Sequence, residues 1–256
     1  MPDSKQPRIS DLTARLLGHT VDAETLASAA DAFGEVQPHE VSVGFRADPR
    51  VAWKESLEVL DAFGLPVPQI SVPADWGALV VKHDNLFALP FALANYPQRV
   101  RELGTLQQAK ELSSLLGETN ESSSASSGLT KWAARLTENT DAINMLVAAA
   151  NFRAAGDHER AEQSLPKRIP AELQIVLGNE RAALLWHKGD YAAADAAWAK
   201  LPDTVPVRFN RGMAALFLGR PAEAVAHLRA AIDALPDASA WHHLANLYCT
   251  LAEMRK

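Results

Sequence analysis

Apolar positions along this chain fall at helical spacing in several separate stretches. Leu12, Leu16 and Leu17 follow Ser10-Asp11 and predict a short capped helix, and Asp22 through Phe33 predicts a second that stops at Gly34. Asp48-Pro49 opens a third, with Trp53, Leu57, Leu60 and Phe63 on one face and Gly64 as its stop. The pattern then changes. Pro66, Pro68, Pro73, Pro90 and Pro97 punctuate a stretch whose Val67, Ile70, Val72 and Leu79-Val80-Val81 are mostly β-branched. That composition predicts extended segments, with a small hairpin turning at Asp84-Asn85. Helical spacing returns from Pro97 to Leu116, in Val100, Leu103, Leu106, Leu112 and Leu115. The serine-rich run Glu121 through Gly128 has nothing to bury and would lose much chain entropy on ordering, so it reads as a linker or mobile loop.

After Lys131 the pattern is almost purely helical and rich in alanine, and there it repeats. Gly156-Asp157, Gly189-Asp190 and Gly219-Arg220 each end one apolar helical run and precede another, with the glycines 33 and 30 residues apart. Seven residues before each glycine stands a small residue: Ala149, Ala182 and Gly212, with Ala245 in the same place of a fourth unit. Four before it come Phe152, Leu185 and Ala215, matched by Tyr248. Five after it come Ala161, Ala194 and Ala224, and four further on Leu165, Trp198 and Leu228. Two antiparallel helices approach closely only where side chains are small. The glycine supplies the left-handed residue that ends the first helix, and the aspartate after it caps the second.

This order resembles the tetratricopeptide repeat over roughly residues 141–252. The last unit carries it best: Trp241, Leu244, Ala245 and Tyr248 stand in the family's W-x-x-L-G-x-x-Y order, with Ala for Gly. The unit before supplies Gly212, Ala215, Gly219, Ala224, Leu228, Ala231 and Pro236. The first two units depart from the family, their second helices being cut short at Pro166 and Pro202. The resemblance implies a right-handed α-α superhelix in residues 129–256; with the patterns before it, a helical domain with some extended or hairpin structure in residues 1–118 and a linker or mobile loop in 119–128, the fold expected is mainly α. In the family the first helix of each hairpin lines a concave groove. The matching positions here are Asn179, Ala183, Trp186 and His187, then Phe209, Asn210, Met213 and Phe217, then His242, His243 and Asn246. The resemblance thus implies a groove of aromatic and methionine surface with a few amide and imidazole donors, suited to a peptide or protein. The alternative is that Phe209, Met213 and Phe217 pack against the N-terminal part or a neighbouring molecule. Some family members bind C-terminal carboxylates through clustered Lys, Arg and Asn. Asn210 and Asn246 stand in such places here, but no Lys/Arg cluster joins them, and that activity does not carry over. In the last helix Trp241, Leu244, Ala245, Tyr248 and Leu251 share one face, as an end cap of a stack requires.

Composition narrows the rest. The chain has 256 residues, 48% apolar and 22% charged, with a net charge of -6. The acidic excess lies before Thr140, and no part has the basic excess that binding nucleic acid requires. One cysteine, Cys249, allows no internal disulfide. With no signal-like N-terminus and no apolar run of about 18 residues, the expectation is a cytoplasmic protein without membrane spans. Phosphate-loop, dinucleotide and H-E-x-x-H motifs are missing. His242-His243 lack further ligands at helical spacing, and His83-Asp84 reads as a solvated turn. No cofactor, metal or catalytic residue is expected. The function expected is that of a protein-binding scaffold module. Its rivals are an enzyme or enzyme subunit with a site in residues 40–117, and a self-assembling protein whose groove is filled by a second copy.

Overall fold

The computed structural model describes residues 49–74, 76, 88–97, 125–139 and 141–255. Among them the chain is mainly helical and contains no strand. The helices are α1 (Pro49–Ala62), α2 (Ala125–Thr137), α3 (Ala142–Ala154), α4 (His158–Ser164), α5 (Gln174–His187), α6 (Tyr191–Trp198), α7 (Val205–Phe217), α8 (Pro221–Ile232) and α9 (Ala240–Glu253). A single 3₁₀ turn, Ala171–Leu173, leads into α5. The helices expected before Asp48, the hairpin at Asp84-Asn85 and most of the helix expected over Pro97–Leu116 lie outside the described residues. Residues 65–73, expected to be extended, are irregular coil with no partner strand among the described residues. The last residues of the serine-rich run belong to α2, which begins at Ala125.

Consecutive helices pack as pairs: α2 with α3, α3 with α4, α5 with α6, and α7 with α8, which also packs on α9. Three of these pairs close on the same turn. Gly156, Gly189 and Gly219 have φ of 77°, 86° and 78°, a region open to glycine at little cost. At each, the glycine N–H and the next N–H fold back onto carbonyls of the preceding helix. For Gly189 these bonds run from its own N–H to Trp186 O at 3.0 Å and from Asp190 N–H to Leu185 O at 3.0 Å. Asp157 and Asp190 then accept from Arg160 N–H and Ala193 N–H and start the second helix. Gly64 ends α1 in the same way, with φ 72°.

The small residues do what their spacing requires. Ala182, Ala194, Ala224 and Ala245 are fully buried where helices meet. A β-carbon on Gly212 would come within 2.6 Å of Leu228 Cγ and 3.1 Å of its backbone nitrogen, so α7 and α8 touch there almost backbone to backbone. The second helices are unequal as the prolines dictate: α4 has 7 residues and α6 has 8, against 12 in α8.

Helix α1 joins this assembly at its far end. Ser239 Oγ donates to Glu58 Oε2 at 2.8 Å, and Trp241 Nε1 lies 3.4 Å from Glu55 O. On the other side Trp53 meets Trp76 and Trp132 edge to face, with centroids 5.2 and 5.5 Å apart. Trp132 Nε1 donates to Ser71 O at 3.1 Å and so ties the coil to α2.

Candidate functional site

Residues 88–97 read Ala-Leu-Pro-Phe-Ala-Leu-Ala-Asn-Tyr-Pro, carry no charge, and are all buried. Pro90 and Pro97 keep the run from becoming a helix, so its main-chain groups have no partners within a regular element. Buried N–H and C=O groups must then be satisfied from outside. The partners come from the first helices of the pairs and from α9. Leu89 N–H donates to the Tyr248 hydroxyl at 3.1 Å, and Ala88 O accepts from Trp186 Nε1 at 2.8 Å. Phe91 N–H donates to Asn210 Oδ1 at 2.6 Å, and Phe91 O accepts from Asn179 Nδ2 at 2.9 Å and Asn210 Nδ2 at 3.2 Å. Leu93 N–H donates to Glu180 Oε1 at 2.6 Å, and Leu93 O accepts from the Arg153 guanidinium. Alternate residues thus turn their main chain to the helices, with the period of an extended strand.

The side chains between these contacts are packed. The Phe91 ring stacks on Trp241, with centroids 4.2 Å apart and planes 12° from parallel, and meets Phe209 edge to face at 5.7 Å. Leu89, Phe91, Leu93 and Tyr96 are each at most 2% exposed. Burying four such side chains contributes several kcal/mol, at about 1.5–3 kcal/mol each. A hydrogen bond adds only about 1 kcal/mol, but an orphaned buried partner costs about 1–3. Burial therefore holds the segment, and the polar contacts set its register.

Charge is confined to one end. Arg153 and Glu180 are 1% and 2% exposed and pair at 3.2 Å. Arg153 also donates to Asn95 Oδ1 at 3.0 Å, and its Nη1 lies 2.9 Å from His187 Nε2, which must accept and so be unprotonated there. Burial, Arg153 and His158 hold the His187 imidazole well below its ordinary pKa. Burial pushes the Glu180 carboxyl up, while Arg153 and the Leu93 N–H pull it back. The arrangement can bind and orient a peptide main chain. Every buried ionisable group in it is engaged with another part of the chain.

Of the residues singled out from the sequence, Asn179, Trp186, Phe209 and Asn210 come together around segment 88–97. Asn179 also joins Asn210 at 2.9 Å and accepts from Trp198 Nε1 at 3.0 Å. Met213 is fully buried, and Phe217 packs against Trp186 and Tyr248 at the same wall. His187 is half-buried beside Arg153. The members from α9 do not join them. His243 and Asn246 are exposed, Asn246 Nδ2 donates to its own helix at His242 O at 3.0 Å, and His242 lies 3.7 Å from Asp237. The inward face of α9 is the one bearing Trp241 and Tyr248, both buried.

Phe209 does pack against the N-terminal part, at Phe91, as the alternative reading had it; the sequence pattern did not point to Arg153, Glu180, Asn151, the Tyr248 hydrogen bond or segment 88–97 in particular. Asn151 Oδ1 accepts from Trp76 Nε1 at 3.0 Å and pins the coil after α1. Two signals were available: charged or amide residues inside otherwise apolar helices, and an uncharged, proline-bearing run too short for a helix. No family model, curated protein or solved structure matches the chain. Among the described residues no cluster of His, Cys, Asp and Glu could hold a metal ion, and no helix is long and apolar enough to cross a membrane.

Proposed function

We propose that the chain is a protein-interaction or scaffold module: a short tetratricopeptide-like array whose first helices form one concave wall that holds an extended peptide segment by its main chain. The double grip on Phe91 carries this reading. Asn210 takes the N–H and, with Asn179, the carbonyl of a single residue, as an adjacent strand would. Such contacts accept many sequences, because they read the backbone that all peptides share. The recurrence of small crossing residues and left-handed glycines through three pairs supports the superhelical form. In this chain the protein's own segment 88–97 sits where a partner's segment would. A partner has to compete with a tethered occupant, whose effective concentration is on the order of millimolar.

Protease recognition sequences inserted in 77–87 and in 98–124 would leave the segment held by non-covalent contacts alone once cut. The expected result is a nicked protein that keeps its helical circular dichroism and exchanges the fragment for a labelled peptide of residues 86–98, with Asn210→Ala weakening uptake. A nicked protein that stays folded yet never takes up the peptide, or one that unfolds on cutting, would make the segment a fixed part of the core and reject the module.

A further inference from the structure

Building on that reading, we infer that the partner is an internal, uncharged segment with an aromatic residue flanked by small ones and an asparagine four positions on, the pattern Leu-Pro-Phe-Ala-Leu-Ala-Asn that the chain itself supplies at 89–95. Several observations fix this chemistry. The Phe91 ring lies flat on Trp241, and Phe209 stands perpendicular beside both rings, 5.7 Å from Phe91 and 5.4 Å from Trp241, so the site favours a planar ring that can stack over a branched aliphatic chain. Ala92 and Ala94 are 0% and 2% exposed, so a larger side chain at either place would have to displace packed interior atoms.

Ala94 has φ 59°, the left-handed region in which bulky and β-branched residues are strained. That turn brings Asn95 back so that its Nδ2 donates to Pro90 O at 2.7 Å while its Oδ1 accepts from Arg153 at 3.0 Å. A carboxylate in its place could accept from Arg153 but could not donate to the carbonyl.

The charges exclude the other common class of peptide ligand. Arg153 and Glu180 already neutralise one another, and each is spent on the main chain of Leu93. A free C-terminal carboxylate or an acidic side chain would face Glu180 in a buried setting and would have to break that pair. The contacts also run on past Phe91 in both directions, to Ala88 and to Asn95, which requires a ligand that continues at both ends.

The test uses full-length chains whose tethered segment is weakened by Phe91→Ala or, as a second host, Asn95→Ala, titrated with labelled peptides by fluorescence anisotropy. The parent peptide of residues 86–98 is expected to bind both hosts more tightly than it binds wild type. Peptides carrying Phe91→Ser, Ala92→Val or Asn95→Asp, and one ending in a free carboxylate at Leu93, are expected to bind at least tenfold more weakly than the parent. Equal binding by all peptides, or tighter binding by the carboxylate-bearing ones, would overturn this inference and leave the module standing. Failure of the parent peptide on both hosts would reject the module itself. Dimers of the hosts by light scattering, dispersed by the parent peptide, would identify the wall's occupant as a second copy and overturn the separate partner.

Discussion

At Phe91 the two main-chain groups are taken by the neutral amides of Asn210 and Asn179, whereas two residues on, at Leu93, they are taken by the carboxylate of Glu180 and the guanidinium of Arg153. The task is the same and the chemistry differs. Amides satisfy a buried peptide unit without bringing charge into the interior. An ion pair does so only while both partners remain, because removing one leaves an uncompensated buried charge. Arg153 also has its Nε buried with no hydrogen-bond partner among the described residues, and its Nη1 against an imidazole that has to stay neutral. The amide end of the segment therefore tolerates the loss of one partner better than the ionic end, where each charge depends on the other.

The largest test of that contrast is Arg153→Ala. It strands Glu180 at 2% exposure and orphans Leu93 O, and the expected loss is about 3–5 kcal/mol by chemical denaturation. A loss under about 1 kcal/mol would mean that the ionic end relaxes as easily as the amide end. Asn210→Ala is smaller. It orphans Phe91 N–H, but Asn179 still serves Phe91 O, so about 2 kcal/mol is expected by the same measurement. A loss matching that of Arg153→Ala would erase the distinction.

The smallest effect concerns pH. His187 is held well below its ordinary value of 6.5, so the unfolded chain takes up a proton there before the folded one does. The folded state keeps its full advantage above pH 6.5 and loses it as pH falls from there toward the depressed folded pKa. Glu180, pushed upward, works in the opposite direction, and a comparison with His187→Gln separates the two. The stability difference between wild type and that variant should shift against wild type as pH falls from 6.5 to 5, by no more than about 1.4 kcal/mol per pH unit for one full proton. A flat difference across that range would show that the Arg153–His187 contact does not couple to folding.

Some of this was legible along the chain. Gly64, Gly156, Gly189 and Gly219 mark helix ends, and each is left-handed in the fold. Ala182, Gly212 and Ala245 mark close crossings, and each is buried. The family resemblance places Asn179, Trp186, Phe209 and Asn210 on one wall, and all four contact segment 88–97. His242, His243 and Asn246 were assigned to that wall by the same register, but α9 presents Trp241 and Tyr248 instead, since its larger apolar face is the one buried. Residues 65–73, whose composition predicts extended segments, form no regular element. A sheet did not follow, because an extended run needs a partner strand and the described partners of segment 88–97 are side chains.

The helix pairs and their turns follow from the order of residues alone, since a glycine stop, an aspartate cap and a small crossing residue act within a few positions of one another. Whether the wall stands open or filled did not follow. Leu93 meets Arg153 across 60 residues, Phe91 meets Asn210 across 119 and Leu89 meets Tyr248 across 159. No spacing rule reaches that far: only the packed fold, by removing water from the main chain of an uncharged segment, decides which side chains must satisfy it.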